Sequence, residues 1–328
     1  MASRPRVLVT RPLLSGVMDA LAERCEVDLY ESEWAIPRDE LLKRIHGVDG
    51  ALTLLTERVD SEFLDAAGSQ LKIVANHAVG YDNIDVPECT RQGVPVSNTP
   101  DVLTETTADL AWALLLAAAR RITEGDRFLR SKTPWIWGPQ MMLGLDIHGK
   151  TLGVVGFGRI GQAVARRGLG FGMRVIYHSR HRVPHEVETE LHAERRELDD
   201  LLAEADFVSV NCALTADTRH LFDAEAFKKM KSTGVLVNTA RGPVVDEAAL
   251  VDALQAGEIF AAGIDVFEKE PEVHAGLLEC PNTAIIPHLG SATVDTREAM
   301  GMLAAENLFA AFEGRRPPTL INPEAWET

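Results

Sequence analysis

Hydrophobic and polar positions alternate along this chain in two rhythms. Short apolar or β-branched runs at 7–10, 26–30, 51–55, 72–77 and 95–98 have the length of buried strands. Between them, 16–24, 38–46 and 61–67 space their apolar residues as helices do. This predicts α/β layers with mostly parallel strands, and residues 1–100 suffice for one small doubly wound domain. A second series starts after Asn98-Thr99-Pro100, where proline ends a strand and Asp101 offers a helix cap. It predicts a long helix over 102–121, then a region rich in tryptophan and proline that includes Trp135 and Trp137. Strands follow at 151–155, 174–179, 205–212, 234–239, 261–266 and 283–287, with helices at 160–169, 198–203, 224–230 and 247–256. A terminal helix spans 293–312. The run 110–119 is apolar all round, so its helix is expected to lie inside the protein or against a partner subunit.

Composition narrows the class. A chain of 328 residues is too long for one ordinary domain and suits two. Its 46% apolar and 25% charged residues are the balance of a globular enzyme. Acids outnumber Lys and Arg by 49 to 33, a formal charge of −16 that argues against nucleic-acid binding. Cys25, Cys89, Cys212 and Cys280 lie far apart without metal-ligand spacing, which fits reduced thiols and a cytoplasmic setting. No segment approaches the ~18 apolar residues of a membrane span. Arg11 and Pro12 interrupt the first apolar run, so no signal peptide is expected. His178, His181, His185 and His192 crowd one stretch, but no cysteine or paired acid would close a tetrahedral site, and no metal is expected.

The strand at 151–155 runs into Gly156-Phe157-Gly158-Arg159-Ile160-Gly161 and then a helix. GxGxxG is weak alone, but strand–turn–helix is its confirming context for a dinucleotide site. Gly156 permits the turn, Gly158 admits a pyrophosphate to the backbone, and Gly161 allows close helix–strand packing. The helix N-terminus, from Arg159 and Ile160, offers its dipole to the phosphates. A rival match to GxxxxGK[ST], from Gly144 to Gly149-Lys150-Thr151, leads into a strand where that motif requires a helix, and is taken as coincidental. After the second strand of the unit, NAD-binding turns usually carry an acid that bonds the ribose. Here the chain reads Ser179-Arg180-His181-Arg182. Serine and arginines can accept the extra phosphate of NADP, so NADPH is expected over NADH. The alternative is a solvated basic loop that tolerates either.

Three polar residues follow later strands, where an α/β sheet opens its ligand crevice: Arg241, Glu270 and His288. Singly they read as a surface ion pair, a solvated acid and a loop histidine. Together they supply the cation, acid and proton donor that reduction of a 2-keto acid requires.

These stretches resemble the D-isomer-specific 2-hydroxyacid dehydrogenases, and among them the glyoxylate/hydroxypyruvate reductases. The shared motifs begin with Val79-Gly80 and its Tyr-Asp-Asn-Ile-Asp85, the segment 98–108 and the glycine turn. They continue with Asn238-Thr239-Ala240-Arg241-Gly242, Gly263 to Phe267 with Glu270-Pro271, and Pro287-His288 through Ser291 to Thr293. The set covers nearly the whole chain. It is highly specific for the family and moderately so for the substrate.

The resemblance implies an α/β protein of two doubly wound parallel-sheet domains. A flavodoxin-like substrate domain would comprise 1–100 with 292–328, and a Rossmann cofactor domain 101–291. It implies Arg241 as the substrate arginine, Glu270 as the acid partner and His288 as the general acid. Val79 and Gly80 would offer backbone N–H groups to a substrate carboxylate, with Ser291 also at the substrate. Thr239 and Ala240 would line the cofactor, with Asp265 near the nicotinamide amide. Ser179 in the acid's place is shared with many glyoxylate reductases. Trp135 or Trp137 could reach a neighbour's active site, and the helix over 102–121 resembles the family's dimer helix, so a homodimer is expected. The expected reaction is NADPH-dependent reduction of glyoxylate to glycolate and of hydroxypyruvate to D-glycerate. Alternatives are a D-lactate or 3-phosphoglycerate dehydrogenase, the latter disfavoured because the chain ends at Thr328 without room for a regulatory domain. Formate dehydrogenase is disfavoured by Glu270, and a dinucleotide-sensing corepressor of the same fold is the rival of a different class.

Overall fold

A computed structural model describes residues 4–327. Close packing divides it into two units, one formed by 4–103 with 291–327 and one by Thr104–Gly290. The first carries strands β1 (Arg6–Val9), β2 (Glu26–Leu29), β3 (Gly50–Thr53), β4 (Ile73–Asn76) and β5 (Val96–Ser97). They pair in parallel in the order β2-β1-β3-β4-β5, the flavodoxin-like arrangement. β3 and β4 are buried along their whole length, because helices cover both faces and every position must be apolar or paired. The returning helix Val294–Phe312 packs Ala304, Ala305 and Leu308 with Val7, Val9 and Leu52. Beyond it, Asn322 accepts from Val96 N–H at 2.7 Å and donates to Val94 carbonyl at 3.1 Å. Fully buried Asn307 donates to Thr319 Oγ1 at 2.8 Å, whose hydroxyl donates to Asn98 carbonyl at 2.6 Å. These amide contacts stitch the last segment to β5.

The second unit holds β6 (Thr151–Val155), β7 (Arg174–His178), β8 (Ala193–Arg195), β9 (Phe207–Val210), β10 (Val235–Asn238), β11 (Ala261–Ile264) and β12 (Thr283–Ile285). All are parallel, in the order β12-β11-β10-β9-β6-β7-β8. Strand order reverses between β6 and β9, the switch point at which such sheets bind ligands. The helix Thr104–Ala119 is buried inside this unit, with Trp112 stacked on Phe171 at 4.6 Å and donating to Val164 carbonyl at 2.9 Å. The α/β reading with two parallel sheets therefore holds.

Details differ from the pattern. The long helix starts at Thr104 rather than at 102, and Asp101 ahead of it sits at φ +71°. The strand β8 and the helices Val86–Arg91, Ile122–Arg130, His185–Glu190 and Ala275–Glu279 were not foreseen. β8 is a short edge strand reading Ala-Glu-Arg, three of those helices have only five or six residues, and Ile122–Arg130 is nine residues long with no buried side chain. Among the described residues, no helix is long and apolar enough to cross a membrane.

His77 follows β4 with 5% of its surface exposed, and its Nδ1 has no hydrogen-bond partner. Burial, reinforced by the Arg297 charge, pushes its pKa down to about 4. Between that value and the ordinary 6.5 the folded chain binds fewer protons here than the unfolded chain. Stability therefore falls as pH drops through that window, by about 3 kcal/mol at most. His77→Gln should remove this part of the pH dependence, read as urea midpoints compared near pH 7 and near pH 4.

Candidate active site

The turn after β6 is shaped by lack of space. Gly156 has φ +90°, and a Cβ there would lie 2.4 Å from Cys212 N. A Cβ on Gly161 would lie 2.1 Å from Gly156 O, so helix and turn touch through backbone. Gly158 differs, with open space on its Cβ side. It is the N-cap of the helix Arg159–Gly170, which has no side-chain cap. That end therefore keeps both room and dipole for an anion. Lys150 and Thr151 enter β6 rather than a helix, so the GxxxxGK[ST] match has the wrong context.

At the end of β7, Ser179 Oγ donates to His181 carbonyl at 2.7 Å. Arg180 is exposed. Arg182, expected from the sequence to meet a cofactor phosphate, is held on Glu188. Its Nε and Nη2 donate to the two carboxylate oxygens at 2.9 and 2.8 Å, and Tyr177 OH donates to Oε1 at 2.6 Å. Hydrogen bonding from Arg182 and then Tyr177 brings Glu188 down to about 2. The acid that captures Arg182 lies on the unforeseen helix His185–Glu190. Arg195, on unforeseen β8, lies opposite Tyr177 in the strand register and donates to Ser179 carbonyl at 3.3 Å; its buried Nε lacks a partner.

Arg241, Asp265, Glu270 and His288 follow the neighbouring strands β10, β11 and β12. Asn238 organises the first loop, accepting from Ala240 N–H at 3.0 Å and donating to Arg241 carbonyl at 2.9 Å. Asp265 is fully buried and accepts from Leu289 N–H at 2.5 Å. Burial raises its pKa against that hydrogen bond and the His288 charge. His288 has φ +52°, and its N–H donates to Asp265 carbonyl at 2.8 Å. Its Nδ1 lies 2.8 Å from Glu270 Oε2, while Glu270 Oε1 accepts from Phe267 N–H at 3.0 Å. Burial pushes the Glu270 carboxyl up, yet the His288 hydrogen bond and the His288 and Arg241 charges hold it below its usual value. Arg241, Glu270, His288 and Asp265 thus share one electrostatic environment at the carboxyl ends of adjacent strands.

Asp265 Oδ2, Thr239 Oγ1 and Asn211 Oδ1 are buried there without partners. Unpaired buried polar atoms are costly in a finished core and ordinary where a polar ligand completes the site. With the open face at Gly158, they fit a nicotinamide dinucleotide. Nothing in the sequence marked Asn211.

The family model for the NAD binding domain of D-isomer specific 2-hydroxyacid dehydrogenases matches residues 112–290. A glyoxylate reductase from Thermococcus onnurineus is 53% identical over 325 residues, covering 98% of this chain and 97% of that protein. The chain belongs to the D-isomer specific 2-hydroxyacid dehydrogenase family. As a member it is an NAD(P)-dependent oxidoreductase. Two solved structures are similar in fold and sequence. A protein from Thermus thermophilus has TM-score 0.90 and 46% identity, covering 96% of this chain and 99% of its own. The NADPH-dependent glyoxylate/hydroxypyruvate reductase of Sinorhizobium meliloti, solved with NADP and malonate, has TM-score 0.84 and 36% identity, covering 98% of each chain.

In the first unit, the residues expected to meet substrate are Val79, Gly80 and Ser291. Asn98 donates to Val79 carbonyl at 2.8 Å and Asn76 to Gly80 carbonyl at 3.0 Å, so side-chain amides fix the Val79–Gly80 peptide, which carries Gly80 N–H, and the peptide after it. Ser291 accepts from Thr293 N–H at 2.9 Å through its carbonyl.

Because a Cβ on Gly158 meets nothing in the protein, Gly158→Ala should fold with an unchanged melting temperature. It should still weaken dinucleotide binding at least ~10-fold, since the methyl group occupies the face where the backbone meets the pyrophosphate. Fluorescence titration with the reduced cofactor checks this.

Proposed function

We propose that this enzyme reduces glyoxylate to glycolate and hydroxypyruvate to D-glycerate with NADPH as the preferred donor. The observation that carries the chemistry is the His288–Glu270 contact at 2.8 Å within the field of Arg241. The nicotinamide, when bound, supplies the hydride. Arg241 holds the keto acid through charge-assisted hydrogen bonds to carboxylate and keto oxygen. Glu270 occupies Nδ1 of His288, so Nε2 carries the proton delivered to the new hydroxyl oxygen. In the reverse direction the same nitrogen accepts it. Val79, Gly80 and Ser291 serve the substrate, while Thr239, Ala240 and Asp265 serve the cofactor. The relatives' names favour glyoxylate among the 2-keto acids, and the S. meliloti relative is described as acting on hydroxypyruvate too.

Support for NADPH comes from Ser179 and exposed Arg180 at the end of β7, where an NAD enzyme usually carries an acid, and from Arg195 on neighbouring β8. Arg182, occupied by Glu188, orders this loop rather than meeting the phosphate. In the proposed division of labour, 104–290 holds the cofactor and the remainder the substrate. A homodimer is also proposed: Ile136 is 87% and Trp137 78% exposed, large apolar side chains that a second copy would cover.

Initial rates of NADPH and NADH oxidation with glyoxylate, hydroxypyruvate, pyruvate and phosphohydroxypyruvate test the reading. The first two should be the best substrates, with NADPH ahead at low cofactor concentration. Equal rates with both cofactors refute the preference, and inactivity with every keto acid refutes the reaction. His288→Ala should lower kcat by ~10²–10⁴, and Arg241→Ala should chiefly raise the keto-acid KM. Arg180→Ala should raise the KM for NADPH and leave that for NADH unaltered; Arg182→Ala should not discriminate between them.

A further inference from the structure

The catalytic carboxylate stands on a peptide that other residues clamp. Glu270 Oε1 is held by the N–H of Phe267, so the position of the Phe267–Glu268 segment sets the position of the carboxylate. One acid and one histidine away from the reacting groups meet that segment. Glu247, only 6% exposed at the start of the helix Glu247–Ala256, accepts from Glu268 N–H at 2.8 Å. His220 Nε2 is hydrogen-bonded to Glu268 Oε1, and its Nδ1 lies 3.9 Å from Asp246 Oδ2. On the other side lies Gly242, where a Cβ would fall 1.9 Å from both Phe267 C and O, so the peptide rests on bare backbone.

The same supports reach the Arg241 loop. His220 N–H donates to Pro243 carbonyl at 2.8 Å, Phe222 N–H to Val244 carbonyl at 3.1 Å, and Asp246 N–H to Phe222 carbonyl at 3.0 Å. His220 takes φ +51° in doing so, an uncommon conformation for a residue with a side chain.

We infer that Glu247 and His220 are positioning residues, fixing the Phe267–Glu268 peptide so that Glu270 meets His288 in reactive register. This rests on the proposed roles of Glu270 and His288. Glu247 acts as a hydrogen-bond acceptor, and the neutral amide of glutamine offers the same oxygen to Glu268 N–H. A carboxylate freed to shift by an ångström costs about 10- to 100-fold in turnover. Substrate and cofactor binding are spared, because the contacts with the Arg241 loop are backbone hydrogen bonds that loss of the Glu247 carboxyl leaves in place.

The test is a double-mutant cycle on the intact enzyme, with kcat and both KM values measured for Glu247→Ala, Glu247→Gln, Glu270→Gln and the Glu247→Ala/Glu270→Gln pair. Glu247→Ala should lower kcat about 10-fold or more with each KM within about twofold, and Glu247→Gln should restore it. With Glu270 already replaced, Glu247→Ala should cost less than about twofold, because the group it positions is gone. An equal loss in both backgrounds, or no rescue by glutamine, overturns the inference. If Glu270→Gln is costly while Glu247→Ala is silent, the inference falls and the catalytic reading stands. If Glu270→Gln itself is harmless, the catalytic reading falls and takes the inference with it. His220→Ala, at a side chain 41% exposed, supplies the same cycle should Glu247→Ala not fold.

Discussion

The hydrogen bond between Glu270 and His288 determines what the rest of the second unit has to achieve. An imidazole has two nitrogens, and a carboxylate at Nδ1 leaves only Nε2 for proton exchange. That choice is useful only if the ring cannot turn. Its backbone is accordingly tied to Asp265, and the carboxylate is tied to Phe267. The elements that supply these groups, β10, β11 and β12, are neighbours in the sheet. Parallel pairing brings their carboxyl ends to one side, so loops distant in sequence deliver cation, acid and imidazole to one place.

The same topology places the dinucleotide turn on β6, with β9 between it and β10. Backbone-to-backbone contact at Gly156, Gly161 and Gly242 gives both the turn and the carboxylate loop a rigid seat. The buried unpaired oxygens of Asp265, Thr239 and Asn211 accompany that rigidity, at a cost in stability.

What could be read from the sequence followed physical signal strength. Buried parallel strands such as Thr151–Val155 are continuous apolar runs and stand out, and Arg241, Glu270 and His288 are conspicuous as polar residues just after such runs. β8 was invisible because an edge strand needs little apolar character. Missing the helix His185–Glu190 also hid Glu188, the acid on which Arg182 is held. Glu247 reads as an ordinary first-turn acid of a helix; its contact with Glu268 N–H exists only once β10 and β11 lie side by side. Contacts between side chains and distant backbone leave no periodic trace.

The second unit is interpolated into the first, and its ends adjoin: Gly290 packs close to Thr107, with a Cβ there 3.5 Å from Thr107 Cγ2. A segment whose entry and exit lie together can be excised and its host rejoined by a short turn, or spliced between the halves of another scaffold, without stretching either break. The geometry makes the nucleotide module a portable cassette, open to exchange or circular permutation at that seam.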